Sequence, residues 1–100
     1  MYRAKYHMYA KTFDELDRAL AECSEYNKLA ATLGWVQGTF WLQAVGDPYE
    51  IVAEFDYPDL TTFEKESQGS PETEKLFRSQ GGDLGPLTPF ELLVQAELPG

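Results

Sequence analysis

Alternation with a period of two constrains this chain more than any other feature. Between Tyr2 and Tyr9, the side chains of Tyr2, Ala4, Tyr6 and Met8 share one face, and those of Arg3, Lys5, His7 and Tyr9 share the other. A run this regular and this rich in tyrosine predicts a β-strand, since successive side chains on a pleated strand point to opposite sides. The pattern returns at Val36–Ala44, Tyr49–Tyr57 and Phe90–Leu98. Each run has one apolar and one mixed face, so the strands predict a sheet with a single buried side.

Two helical signals separate the strands. Thr12-Phe13-Asp14-Glu15 fits a capping box, in which the Thr12 hydroxyl accepts from the Glu15 amide and the Glu15 carboxylate reaches back to the Thr12 amide. Leu16, Ala19, Leu20, Cys23, Tyr26, Ala30 and Leu33 follow at helical spacing, and Gly34 supplies a left-handed stop. Gly46-Asp47-Pro48 is a turn that joins the second and third strands as a hairpin. Pro58 ends the third strand, and Asp59 caps a second helix through Phe63 toward Ser67. After a break at Gln68-Gly69, Ser70 and Pro71 open a short helix carrying Leu76 and Phe77, and Gln80–Pro86 is a glycine-rich loop.

The order strand, helix, strand, strand, broken helix, strand predicts an α+β fold: a ferredoxin-like βαββαβ sandwich whose helices cover one face of a four-stranded antiparallel sheet. Charge is an independent check on the strand order of that topology. The first strand carries Arg3, Lys5 and His7 on its mixed face, the third Glu50, Glu54 and Asp56, and the fourth Glu91 and Glu97. Opposite charges on neighbouring strands stabilise pairing and like charges oppose it, which places the basic strand between the two acidic ones, in the order 4-1-3-2. With 100 residues, the chain forms one domain spanning 1–100.

The net charge of −9 argues against nucleic acid and against an anionic membrane surface, both of which need clustered Lys and Arg. No apolar run approaches the roughly 20 residues of a membrane span. Met1–Met8 lacks the apolar core of a signal peptide, and a single cysteine forms no intrachain disulfide, so the expected compartment is cytoplasmic. Trp41, Val52, Leu93 and Tyr9 interrupt the mixed face of the sheet. Apolar residues set among paired charges predict a face that meets a second copy of the chain, as a homodimer.

With the Tyr2–Tyr9 strand, the Thr12–Leu33 helix, the Gly46-Asp47-Pro48 hairpin, the Tyr49–Asp56 strand and Tyr57-Pro58-Asp59-Leu60-Thr61-Thr62-Phe63-Glu64 in place, nearly the whole chain resembles the dimeric α/β-barrel superfamily. The stretch Gly46–Phe63 is similar to its monooxygenase-like and NIPSNAP-like members. The resemblance implies ferredoxin-like subunits whose sheets pack into a barrel across a two-fold axis. Members include cofactor-free monooxygenases acting on aromatic polyketides, polyketide cyclases, lactone isomerases, haem-degrading enzymes and regulatory ligand-binding domains, so the fold selects no single chemistry.

One His and one Cys exclude a zinc site of the usual type within a subunit, and no calcium loop, phosphate fingerprint or serine-nucleophile elbow is present. No cofactor is expected. Cys23, on the apolar stripe of the first helix, reads as a buried small hydrophobe. On the helix-facing side, Ala4, Gly38, Ala53 and Ala96 leave space ringed by Tyr2, Tyr6, Met8, Phe40, Tyr49 and Phe55. That space suits either close helix packing or a hydrophobic small molecule, with tyrosine hydroxyls and the Asn27 amide as its polar complement. His7, the only imidazole, is the natural general base, although alternation points it to the mixed face unless a bulge redirects it. The resemblance puts a His on the first strand of some cyclases, which use further histidines absent here. Trp41 is either a dimer anchor or an aromatic wall of the site, and Arg78 either binds an acidic group on a ligand or is a solvated helix-end residue. The function implied is a cofactor-independent monooxygenase, cyclase or isomerase acting on an aromatic or polyketide-like molecule; the alternative is a non-catalytic ligand-binding or accessory protein.

Overall fold

The computed structural model describes residues 1–71 and 90–100. They form β1 (Tyr2–Tyr9), α1 (Phe13–Leu33), β2 (Thr39–Leu42), β3 (Glu50–Tyr57), α2 (Leu60–Ser67) and β4 (Phe90–Val94). The sheet is antiparallel in the order β2-β3-β1-β4, which is the charge-derived order read from the other edge. The helix read from Ser70 onward with Leu76 and Phe77, the Gln80–Pro86 loop and Arg78 lie outside the described residues, apart from Ser70 and Pro71 themselves.

Register follows the alternation without a bulge. β1 pairs with β3 from Tyr2↔Tyr57 to Tyr9↔Glu50, so Tyr2, Ala4, Tyr6 and Met8 share a face with Ile51, Ala53, Phe55 and Tyr57. That face meets Leu16, Ala19 and Cys23 of α1 to make the core. Helix ends behave largely as the cap residues dictate. Thr12 Oγ1 accepts from Glu15 N at 3.1 Å, and Asp59 Oδ1 accepts from Thr62 N at 2.7 Å. The Glu15 carboxylate, however, reaches the amide of Lys11 at 2.7 Å rather than that of Thr12. Gly34, at φ 71°, closes α1 and lets Trp35 N donate to Ala30 O at 2.8 Å.

Two strands are shorter than their alternation. β2 covers four residues because the backbone before it is bound elsewhere: Val36 N donates to Glu66, and Gly38 N and O both pair with the Asn27 side chain. Those polar groups are satisfied without a ladder partner, so no strand is needed to satisfy them. β4 ends at Val94, its partner in register being Tyr2, and just past it Gln95 N donates to Met1 O at 2.9 Å.

On the outer face the basic strand lies between acidic ones. Arg3 makes a two-pronged pair with Asp56 at 2.7 and 3.0 Å and approaches Glu54 at 3.3 Å. Lys5 stands in register between Glu54 and Glu91. The Arg3 guanidinium holds the Asp56 carboxyl below its usual range, chiefly through the hydrogen bonds.

Candidate functional site

The sheet divides the sequence-predicted site residues between its two faces. Tyr6, Phe40 and Phe55 lie on the helix-covered side, with Asn27 above them on α1, whereas His7 and Trp41 lie on the outer side. Tyr49 immediately precedes β3, and its ring meets that of Phe13 at a tilt of 47°, 4.8 Å between centroids. Arg78 lies outside the described residues.

Phe55 is the centre of the helix-side group. Tyr6, Tyr26 and Phe40 each meet its ring edge-to-face, at 5.9, 5.6 and 6.0 Å between centroids. Part of the expected space is filled by this ring. A Cβ at Gly38 would come within 2.8 Å of Phe55 and 2.9 Å of Phe40, so the missing side chain of Gly38 is occupied by aromatic carbon. Ala4 and Ala53 are buried beneath the rings, while Ala96 lies past the end of β4 and is exposed. Asn27 has a structural use for both ends of its amide: Nδ2 donates to Gly38 O at 2.9 Å, and Oδ1 accepts from Gly38 N at 2.7 Å.

Further polar groups gather at the same face. Tyr57 packs its ring on Phe63 of α2 at 5.4 Å. Glu66, one turn further along α2, is only 8% exposed, and its Oε1 accepts from Val36 N at 2.8 Å. Burial pushes the phenols of Tyr6, Tyr26 and Tyr57 up, and the nearby Glu66 carboxylate pushes Tyr26 and Tyr57 further. The site therefore presents phenol hydroxyls that stay neutral at pH 7, together with the Glu66 side chain, against aromatic walls. Tyr2, Tyr6, Tyr26, Phe40 and Phe63 remain partly accessible around the core.

Tyr26, Tyr57 and Glu66 are missing from the sequence-derived set. Tyr26 and Tyr57 stand on apolar stripes, where an aromatic residue reads first as packing. Glu66 reads as a solvated helix carboxylate, as does Glu22, yet both are buried. The available signal for Glu66 is its spacing, since three residues after Phe63 puts it on the same helix face. Cys23 is a buried thiol, pushed up to about 12 by burial first and by Glu22 second, which disfavours its thiolate.

On the outer face, His7 Nδ1 donates to Glu50 Oε1 at 2.6 Å, with both side chains largely covered. Gln43 Nε2 makes a longer contact with the other Glu50 oxygen at 3.4 Å. Trp41, Val52 and His7 form one row across β2, β3 and β1. Without a bulge in β1, His7 stays on the side of the sheet away from Phe55. Trp41 is 55% exposed and Leu93 47% exposed on this face, so two large apolar side chains stand in water among the ion pairs. Among the described residues no cluster of His, Cys, Asp and Glu has the arrangement to hold a metal ion, and no helix is long and apolar enough to cross a membrane.

No protein-family model matches the sequence, and no curated protein matches it significantly. Solved structures do match the fold. An uncharacterised NIPSNAP domain protein from Burkholderia xenovorans is similar with a TM-score of 0.68 at 15% identity, covering 98% of each chain. A proposed antibiotic biosynthesis monooxygenase from Deinococcus radiodurans gives a TM-score of 0.67 at 8% identity, over 99% of this chain and 95% of that one. Another from Chloroflexus aurantiacus gives 0.60 at 18% identity, over 99% and 96%. At these identities the likeness shows a shared ferredoxin-like α+β fold over nearly the whole chain.

Proposed function

We propose that this chain is a cytoplasmic, homodimeric small-molecule-binding protein that holds an aromatic or polyketide-like ligand on the helix-covered face of its sheet without a cofactor. The observation that carries this reading is the concentration of Tyr6, Tyr26, Tyr57 and Glu66 around Phe55 and Phe63. An apolar wall with a few placed polar groups is what a small-molecule site needs. The second copy would cover Trp41, Leu93, Tyr9 and Val52 on the outer face, where alternating charges set the register of contact.

Catalysis is the second reading, favoured by the fold shared with the two proposed monooxygenases. A cofactor-independent oxygenase, cyclase or isomerase needs a base beside its substrate. His7 is turned to Glu50 on the far side of the sheet, which is why binding without turnover is the preferred reading. The test uses 1,8-dihydroxyanthrone, a tricyclic polyketide-like probe. Calorimetric titration under nitrogen reads binding, and absorbance in air reads oxidation to the quinone. Saturable binding with no protein-dependent oxidation supports the proposal. Turnover that falls by roughly 10²–10⁴ in His7→Ala would establish catalysis instead. Absence of binding refutes both.

A further inference from the structure

Resting on the reading of the helix-covered face as the binding site, we infer that this site selects its ligand by charge, taking neutral and amine-bearing aromatic molecules and rejecting aromatic acids.

The distribution of charge carries the argument. Six of the eight Lys and Arg residues are described, and none stands on the helix-covered face. Arg3 and Lys5 are on the outer face among Glu54, Asp56 and Glu91, and His7 is paired there with Glu50. Lys11, Arg18, Lys28 and Lys65 are exposed. The helix-covered face instead holds Glu66, more than nine-tenths buried, with the backbone amide of Val36 as a neutral donor to one of its oxygens.

The aromatic groups act in the same direction. Phe55, Tyr6, Tyr26 and Phe40 meet edge-to-face, and the faces of such rings carry the negative part of the π quadrupole. Ring faces attract an ammonium group and repel a carboxylate or phenolate, and Tyr26 of this group lies near the buried Glu66. An acid entering this face would lose hydration and gain no described cation, whereas an amine would bring the counter-charge of Glu66 with it. The chain's net charge of −9 steers cations in and anions away at longer range.

Three probes with one ring system test this on the full-length chain at pH 7: 9-(aminomethyl)anthracene, 9-anthracenemethanol and anthracene-9-carboxylate. Their own fluorescence reports binding. The expected order is amine, alcohol, acid, with the amine bound about tenfold or more tighter than the acid. Glu66→Gln keeps an acceptor for Val36 N–H and should narrow that gap by roughly tenfold. Glu25→Gln, at an exposed carboxylate of α1, should leave the gap unchanged and so separates local from general attraction. An acid bound as tightly as the amine would overturn the inference while leaving the binding proposal standing. A gap unmoved in folded Glu66→Gln would overturn it too. Binding of none of the three would overturn the binding proposal itself, and the wild-type ranking decides the matter even if a variant fails to fold.

Discussion

Replacing Gly38 by alanine tests whether the helix-covered face is packed as described. An alanine Cβ would lie 2.8 Å from Cε1 and Cζ of Phe55 and 2.9 Å from Cζ of Phe40. Neither ring yields freely, because Phe55 is wedged by Tyr6, Tyr26 and Phe40 at once. The backbone cannot retreat either, since Asn27 grips both Gly38 N and Gly38 O. Overpacking of this kind costs about 1–3 kcal/mol. Gly38 is not among the glycines with positive φ, so alanine also recovers about 0.4–1 kcal/mol by restricting the unfolded chain. The net expectation is a loss of about 1–2 kcal/mol. For a domain of this size that lowers Tm by roughly 5–10 °C, read by far-ultraviolet circular dichroism and checked by urea titration. In a Phe55→Leu background, the added methyl should cost less, giving a coupling of about 1 kcal/mol in a double-mutant cycle. A Gly38→Ala protein as stable as wild type would mean that the rings do not occupy this space and that the aromatic group is looser than described.

Asn27→Ala leaves the half-buried amide and carbonyl of Gly38 without their partner, and urea unfolding should show a loss of about 2 kcal/mol or more. The Asp56 carboxyl, held low by Arg3, contributes stability that is fully present above the ordinary carboxylate value of 3.8 and is lost as pH falls through the lower folded value. Asp56→Asn should therefore flatten the acid limb of the stability-against-pH curve while changing little at neutral pH, because the pair is largely exposed. Trp41→Lys, placed on the exposed row with Val52 and His7, should convert a dimer to a monomer in sedimentation equilibrium at micromolar concentration; an unchanged mass would remove this face from the proposed interface.

Much of the architecture was legible in the order of residues. A period of two at Tyr2–Tyr9 and Glu50–Tyr57 assigns each side chain to a face, and the unbroken register keeps those assignments. Thr12, Asp59 and Gly34 mark helix ends because caps act within a few residues of themselves. The strand order was legible too, since Arg3 and Lys5 have a favourable place only between Glu54 or Asp56 and Glu91. The failures share a cause. Val36 and Gly38 continue the alternation of β2, yet their backbone is satisfied by Glu66 and Asn27, residues 30 and 11 positions away. Glu66 looked solvated because sequence spacing reports which helix face a residue occupies, not what covers it.

The sequence by itself determined which described segments form strands and helices, the faces of β1 and β3 and the order of the sheet, because these follow from local periodicity and charge pairing; that His7 stays on the outer face was decided by the unbroken register of β1. Only the tertiary structure decided what the helix-covered face contains. The rings of Tyr6, Tyr26, Phe40 and Phe55 converge from both helix and sheet, Gly38 yields its space to them, and Glu66 is buried near the phenols of Tyr26 and Tyr57. Convergence of that kind depends on how α1 and α2 lie against the strands, and no spacing within one segment encodes it.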